Sequence, residues 1–343
     1  MLRRFVTIIA LGTITPPLSA QQVLDAPSGT TALLQAVSPV DEAVVWASGH
    51  RGTVLRSTDG GATWHPRPVA GAEALQFRDI HARSADVAWA LSAGPGAQSQ
   101  IYHTRDGGIT WVRQFLNADS AAFYDCLTFF DGGTGVAYSD ASHGRTNILR
   151  TTDAGATWQL LPQGAVPAPL EGEGAFAASG ACVASFGSRD GWIALGAPGA
   201  RIFRSRDAGA TWRVFATPIV TGEAAGNTAV DFRDPLVGIA VGGDIANYNA
   251  DSSAAVVAVT VDGGETWVTR NRPPRPGAIF GVAWVPGAAV GTAVAASPGG
   301  LFLTRDAGES WTTLDPRAFW SVAAHGRRAW AVGPGGVILA LTF

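Results

Sequence analysis

The chain has 343 residues, 47% of them hydrophobic and only 15% charged, which supplies a large core and excludes a disordered chain. Its 43 Gly and 20 Pro follow no Gly-X-Y period, so collagen is excluded and many short elements joined by tight turns are expected. All 24 basic residues are Arg and the formal charge is −3, so there is no basic stripe and nucleic acid is not expected as a partner.

Met1-Leu2-Arg3-Arg4 is a basic start, Phe5 to Ile14 is an apolar run, and Leu18-Ser19-Ala20 places small residues before Gln21. That order predicts a secretory signal peptide over residues 1–20, with ordinary Sec export preferred to a twin-arginine route. The run is short of the ~20 residues that span a bilayer, and no later stretch reaches that length. The mature chain, residues 21–343, is expected to be a single exported domain, periplasmic or extracellular, not membrane-spanning and monomeric.

A repeat organises that domain. Ser57-Thr58-Asp59-Gly60-Gly61-Ala62-Thr63-Trp64 returns as Thr104 to Trp111, Thr151 to Trp158, Ser205 to Trp212, Thr260 to Trp267 and Thr304 to Trp311. Successive Trp residues stand 47, 47, 54, 55 and 44 positions apart, a period that suits one four-stranded propeller blade. Each box lies between two short strand-like runs and is expected to be a hairpin turn. Its carboxylate, at Asp59, Asp106, Asp153, Asp207, Asp262 or Asp306, would accept turn N–H groups while Gly takes a positive φ and Trp covers the junction. Isolated turn carboxylates lack the clustered ligands a metal needs, so all six are assigned to the fold.

Upstream of most boxes a Trp-Ala-x-Gly-like signature marks another strand, as at Trp46, Trp89, Trp192 and Trp330. The last match reveals a seventh unit with three strands and no box. Residues Gln22–Ala26 are expected to supply its fourth strand, closing a ring that leaves no sheet edge at the junction. The predicted fold is all-β: one seven-bladed propeller of four-stranded antiparallel blades.

The box sequences resemble the Asp-box or BNR repeats of bacterial sialidases, sortilin-type receptors and the photosystem II stability/assembly factor family. The seven units with Trp-Ala-x-Gly before the box are most similar to the assembly factor family and its secreted bacterial relatives. The resemblance implies a non-catalytic scaffold that binds proteins, such as subunits of an assembling membrane or envelope complex. The alternative is a carbohydrate-active propeller, a glycoside hydrolase or a glycan binder. A sialidase-like site would need three Arg, a Tyr nucleophile and an acid. The nearest approach is Tyr124 beside Asp125 with Arg78 one blade earlier, and the Arg-Ile-Pro element expected before a sialidase's first box is replaced by Gly52-Thr53-Val54-Leu55-Arg56. Neither a catalytic set, a metal site nor a cofactor is expected, because the six His form no zinc motif and the Gly-rich stretches are turns.

Cys126 and Cys182 occupy equivalent places on the inner strands of neighbouring blades. In an exported protein they read as a disulfide worth ~3–4 kcal/mol in the loop-entropy model, the other reading being two small buried thiols. The long insertions at 93–100, 140–147, 161–175 and 243–254 all fall on the face opposite the boxes, where a partner is expected to bind. Candidate binding residues near the starts of inner strands on that face are Arg78, Asp79, Tyr124, Asp125, Asp231 and Arg233. Those on its loops are Asp140, His143, Arg145, Asp244, Tyr248 and Asn249.

Overall fold

A computed structural model describes residues 22–250, 253–275 and 277–343. The signal peptide read over residues 1–20 lies outside them. The described residues form seven four-stranded antiparallel sheets arranged as a ring of blades. Three short 3₁₀ turns are the helical elements among them, and none is long and apolar enough to cross a membrane.

Seven inner strands surround a central channel: Leu34–Pro39, Phe77–Ala82, Tyr124–Phe129, Val183–Phe186, Ala225–Phe232, Gly281–Trp284 and Ser321–His325. One register position recurs in all seven. Val37, Ile80, Leu127, Val183, Val230, Val282 and Val322 are all buried, each paired with an Ala or Ile of the second strand. Each packs into the cluster it shares with the preceding blade. Because strand side chains alternate, the flanking inner-strand positions face the following blade, and in the first, second and fifth blades one of them carries a polar group that bonds across the junction. Ser38 Oγ accepts the Ala82 N–H at 3.0 Å, Asp79 Oδ2 that of Leu127 at 2.6 Å, and Asp231 Oδ2 that of Trp284 at 2.7 Å.

The ring is closed by the strand Gln22–Asp25, which pairs antiparallel with Ile338–Thr342 and completes the seventh sheet. A last edge in solution would leave its N–H and C=O groups open to another chain. An ion pair reinforces the closure, with Arg317 Nη1 2.6 Å from Asp25 Oδ2.

All six boxes are turns between third and fourth strands with one hydrogen-bond pattern. The Asp Oδ1 accepts the seventh-position N–H at 2.8–3.0 Å. Its Oδ2 accepts the hydroxyl of that same Thr or Ser at 2.5–2.7 Å. These donors favour the ionised carboxylate and hold Asp59 and Asp106 down to about 2.

The boxes also join blades. Trp330 donates Nε1–H to Gly60 O of the first box, Trp89 to Ala154 O of the third and Trp192 to Gly263 O of the fifth. Arg150 Nε reaches the equivalent Ala208 O of the fourth box, where the preceding blade carries Val136 in place of Trp. At Gly60 (φ +74°) a Cβ would collide with the Arg328 guanidinium arriving from the seventh blade. Glycine is required there both for its backbone and for its missing side chain.

Replacing Trp192 by Phe keeps most of the apolar contact but leaves Gly263 O without this donor. The expected loss is about 1–3 kcal/mol of unfolding free energy, checked by denaturant unfolding at constant m; an unchanged midpoint would contradict this role for the indole N–H.

Candidate functional site

Four inner strands carry a β-bulge, which inserts Gln35, Arg78 and Asp125 as the second residue of their strands and Thr228 as the fourth of its own, toward the insertion-face end of the channel. A bulge re-aims a side chain out of the normal alternation. Arg78 lies over the Phe123 ring at 6.0 Å, donates to Gln76 Oε1, and stands close enough to Asp125 for their charges to interact. Asp125 lies beside Asp140, whose Oδ1 accepts the Ala175 N–H at 3.1 Å. Burial, then the neighbouring Asp140 carboxylate, push Asp125 well above the usual carboxylate range; burial pushes Asp140 up to about 6. The structure thus unites Arg78, Asp125 and Asp140.

The other candidates separate. Tyr124 is buried, its ring edge-on to Phe115 at 5.1 Å, and burial raises its phenol. A packed, protonated phenol is no exposed nucleophile, which removes the residue a sialidase-like site would need. Asp79 faces the third blade through its bond to Leu127. His143 Nε2 is 3.1 Å from Asp119 Oδ1 and Arg145 donates to Leu161 O. Of the residues expected on loops, Arg145 opens the strand Arg145–Thr151, Asp140 lies within Gly135–Ser142 and Asp244 ends Gly238–Asp244, because these hairpins extend further than the sequence pattern suggested. Asp244 caps its own turn through the Ala246 and Asn247 amides, and Tyr248 packs against Phe280 and Trp320. Asp231 and Arg233 require a correction. The fifth inner strand begins early, at Ala225, so Asp231 sits near its end. Both residues therefore lie toward the box face, where Arg233 pairs with Asp234 and covers the Trp284 ring.

The channel mouth on the insertion face is closed by the segment that links the third and fourth blades. Gln35 Nε2 donates to Ala178 O, Ser179 Oγ to Phe280 O and Ser321 Oγ to Ser179 O, while Val230 N–H bonds Ala181 O. The segment's tip therefore touches the first, fifth, sixth and seventh blades. The cavity beneath it, of about 260 Å³, is lined by Asp79, His81, Asp231 and the aliphatic ring. A disulfide joins Cys126 to Cys182 at the segment's end, with Cα atoms 6.0 Å apart.

Sequence reasoning missed a second site on the box side. Arg189, Arg204, Arg206 and Arg213 converge beside Phe215 and Glu265 around a cavity of about 280 Å³ between the fourth and fifth blades. Arg204 is buried and held by Glu265 Oε1 at 2.9 Å, whereas Arg206 is 58% exposed. Arg213 stacks over the Phe215 ring at 5.3 Å. The visible signal was Arg204-Ser205-Arg206 entering the fourth box and Arg213 leaving it, a density of guanidinium that no other box has. Exposed guanidiniums beside an aromatic ring suit carboxylate-bearing ligands.

The fold and these surfaces define a seven-bladed propeller whose blades are docked through their third-to-fourth-strand turns. Residues 21–166, the closing strand and first three blades, match the family model described as "Photosynthesis system II assembly factor YCF48". The chain resembles that family. It superimposes on a structure described as "YCF48 bound to D1 peptide" with TM-score 0.66 and 18% identity, covering 96% of this chain and 98% of that one. YCF48 from Cyanidioschyzon merolae gives TM-score 0.63 and 19% identity over 93% and 98% of the two chains. The GH74 enzyme of Niastella koreensis gives TM-score 0.65 and 15% identity, over 92% of this chain but 53% of that one. No curated protein matches the sequence.

The buried carboxylates make stability depend on pH. Burial pushes Asp79 up to about 8 and Asp231 up to about 6. An acid whose folded-state value is raised holds a proton that the unfolded chain has already released, so its contribution falls as pH rises from about 4 to about 8. Asp79→Asn should remove the Asp79 share of that fall and leave the shares of the other buried carboxylates, so that relative to the parent it gains roughly 2–4 kcal/mol between those limits. Denaturant unfolding at both pH values measures it, and a constant difference between parent and variant would refute the assignment.

Proposed function

We propose that the chain is an exported, non-catalytic propeller that binds protein segments during assembly of a membrane or envelope complex. The observation that carries the reading is the propeller likeness joined to a YCF48 family match over residues 21–166. A YCF48 of the same fold is described as bound to a peptide, and this chain offers an arginine cluster able to take an acidic one. The balance of charge favours the box-side surface over the insertion face: four Arg there meet two carboxylates, Asp207 and Glu265, with Arg206 3.9 Å from Glu265, whereas Arg78 at the channel mouth faces Asp125 and its neighbour Asp140. The GH74 likeness supplies fold alone, and the packed Tyr124 gives a hydrolase reading no nucleophile of the sialidase kind.

Binding is tested with the mature protein and an extended peptide carrying several carboxylates, by calorimetry at low and moderate salt. Arg206→Glu with Arg213→Glu is expected to weaken it at least about tenfold, since each lost charge-assisted contact is worth ~1.5–3 kcal/mol. Arg145→Glu on the opposite face should leave it unchanged. Equal affinity of the double variant and the parent would move the docking surface elsewhere.

Export has its own test. Protein recovered from the periplasm or medium of the native host should begin at Gln21 on N-terminal sequencing. Recovery only inside the cell, beginning at Met1, would contradict export.

A further inference from the structure

The segment Leu161–Cys182 runs as a strap from the outer strand of the third blade to the inner strand of the fourth, across the channel mouth. Most of its fastenings are hydrogen bonds between neutral groups, either backbone to backbone or from a Gln, Ser or Thr side chain to a backbone O. Its middle is different, because residues 173–175 meet two ionisable groups, Arg201 and Asp140. Glu173 is fully buried and paired with Arg201, and its backbone O accepts the Ala141 N–H at 2.8 Å. Gly174 sits so close to Asp140 that a Cβ would collide with the carboxylate, and Ala175 donates its N–H to Asp140 Oδ1.

Asp140 in turn lies side by side with Asp125, which is 1% exposed. Asp125 Oδ2 is buried and has no hydrogen-bond donor. A buried carboxylate oxygen without a donor, next to a second carboxylate, lacks one thing that a single shared proton supplies. The charged and titratable groups facing the pair are Arg78 from the second blade, Tyr138 from the third, Glu173 from the strap and Arg201 from the fourth blade. Arg201 is committed to Glu173, which leaves Arg78 as the one cation acting on Asp125. Asp79 and His50 lie nearer the strap's tip, Asp79 beside Gly180 and His50 bonded to Gln35.

We propose that the Asp125–Asp140 carboxyl pair is a proton-operated latch on the strap. With one proton between the two carboxyls the strap seals the insertion-face mouth of the channel. When that proton is lost, two adjacent buried charges face one guanidinium. Asp125 is fixed in an inner strand, whereas Asp140 stands where the pairing of its strand is interrupted between Ser139 and Ser142, so the repulsion is relieved there: Asp140 turns to water, the Ala175 bond breaks, and residues 173–181 lift from the mouth, giving up the Gly174 backbone bonds to Ala197 and Gly196. The disulfide at Cys182 keeps the lifted strap attached at its end. The device controls access to the channel from the face opposite the arginine cluster, and does not depend on what that cluster binds.

The test is amide hydrogen exchange of the full mature protein between about pH 5 and about pH 9, with each rate corrected for intrinsic exchange. Protection of residues 173–181 is expected to fall at least ~tenfold across that range, as one proton released on opening dictates. Amides of the neighbouring strand Asp190–Leu195 should not change. Asp125→Asn, which keeps shape and supplies a donor to Asp140, should flatten the fall; Asp140→Asn carries the same test if that variant does not fold. The fall should persist in Asp79→Asn, which separates the latch from the channel carboxylate. Constant protection in the parent, or an equal fall in Asp125→Asn, would overturn the proposal.

Discussion

The architecture depends on one contact made repeatedly, an N–H from one blade docking on a turn carbonyl of the next. A propeller blade buries only its two faces against neighbours, so the ring stands or falls on the junctions between sheets. The Asp-centred turns are stiffened by hydrogen bonds to both carboxylate oxygens, and a stiff turn presents its carbonyl in a fixed direction. Trp89, Trp192 and Trp330 use that carbonyl while their rings fill the space between blades. In the third blade, where Val136 stands instead, Arg150 takes over the bond from another strand. The constraint is thus on the acceptor and its donor, and the donor's identity is negotiable.

Inside the ring the same logic runs at smaller scale. The aliphatic position facing the preceding blade is uniform, because all seven junctions need a branched side chain of similar volume. The residues beside it are less uniform: Ser38, Thr128 and Asp231 follow it, Asp79 precedes it, and Ala184, Ala283 and Ala323 stand after it in the other three blades. Asp79 and Asp231 use carboxylates where a hydroxyl serves elsewhere, and burial then raises their proton affinity. They read as clasps between blades that happen to line the channel. The strap, by contrast, belongs to no repeat, and the arginine cluster is particular to the fourth box; they occupy opposite faces.

That division explains how much was legible beforehand. The boxes, the Trp signature and the orphan seventh unit are local patterns repeated at a fixed interval, and repetition makes a weak local signal strong. The placement of insertions on one face follows from strand counting alone, and so did the closure by Gln22–Asp25. Residue constellations were harder. Asp79 and Asp231 looked alike in the sequence, yet one begins an inner strand and the other nears the end of one, because the fifth strand starts at Ala225. Tyr124 beside Asp125 looked like a reactive pair, but the Tyr124 ring packs into the apolar cluster against Phe115 while Asp125, at the bulge, lies beside Asp140.

The sequence by itself determined the fold class, the blade number and the turn chemistry, since each of these rests on hydrophobic alternation and hydrogen bonds within a few residues; the ring closure, though made between the two ends of the chain, was legible because the seventh unit lacks a fourth strand of its own. Only the tertiary structure decided which polar groups meet. Arg78, Asp125 and Asp140 come together from two blades because bulges shift their side chains, and Arg189, Arg204, Arg206 and Arg213 converge at a junction of two more. The strap's seat over the channel is fixed by single hydrogen bonds to residues more than a hundred positions away, at Gln35, Phe280 and Ser321. Contacts of that span leave no periodic trace along the chain, because each is made once and its partners are set by the geometry of the closed ring.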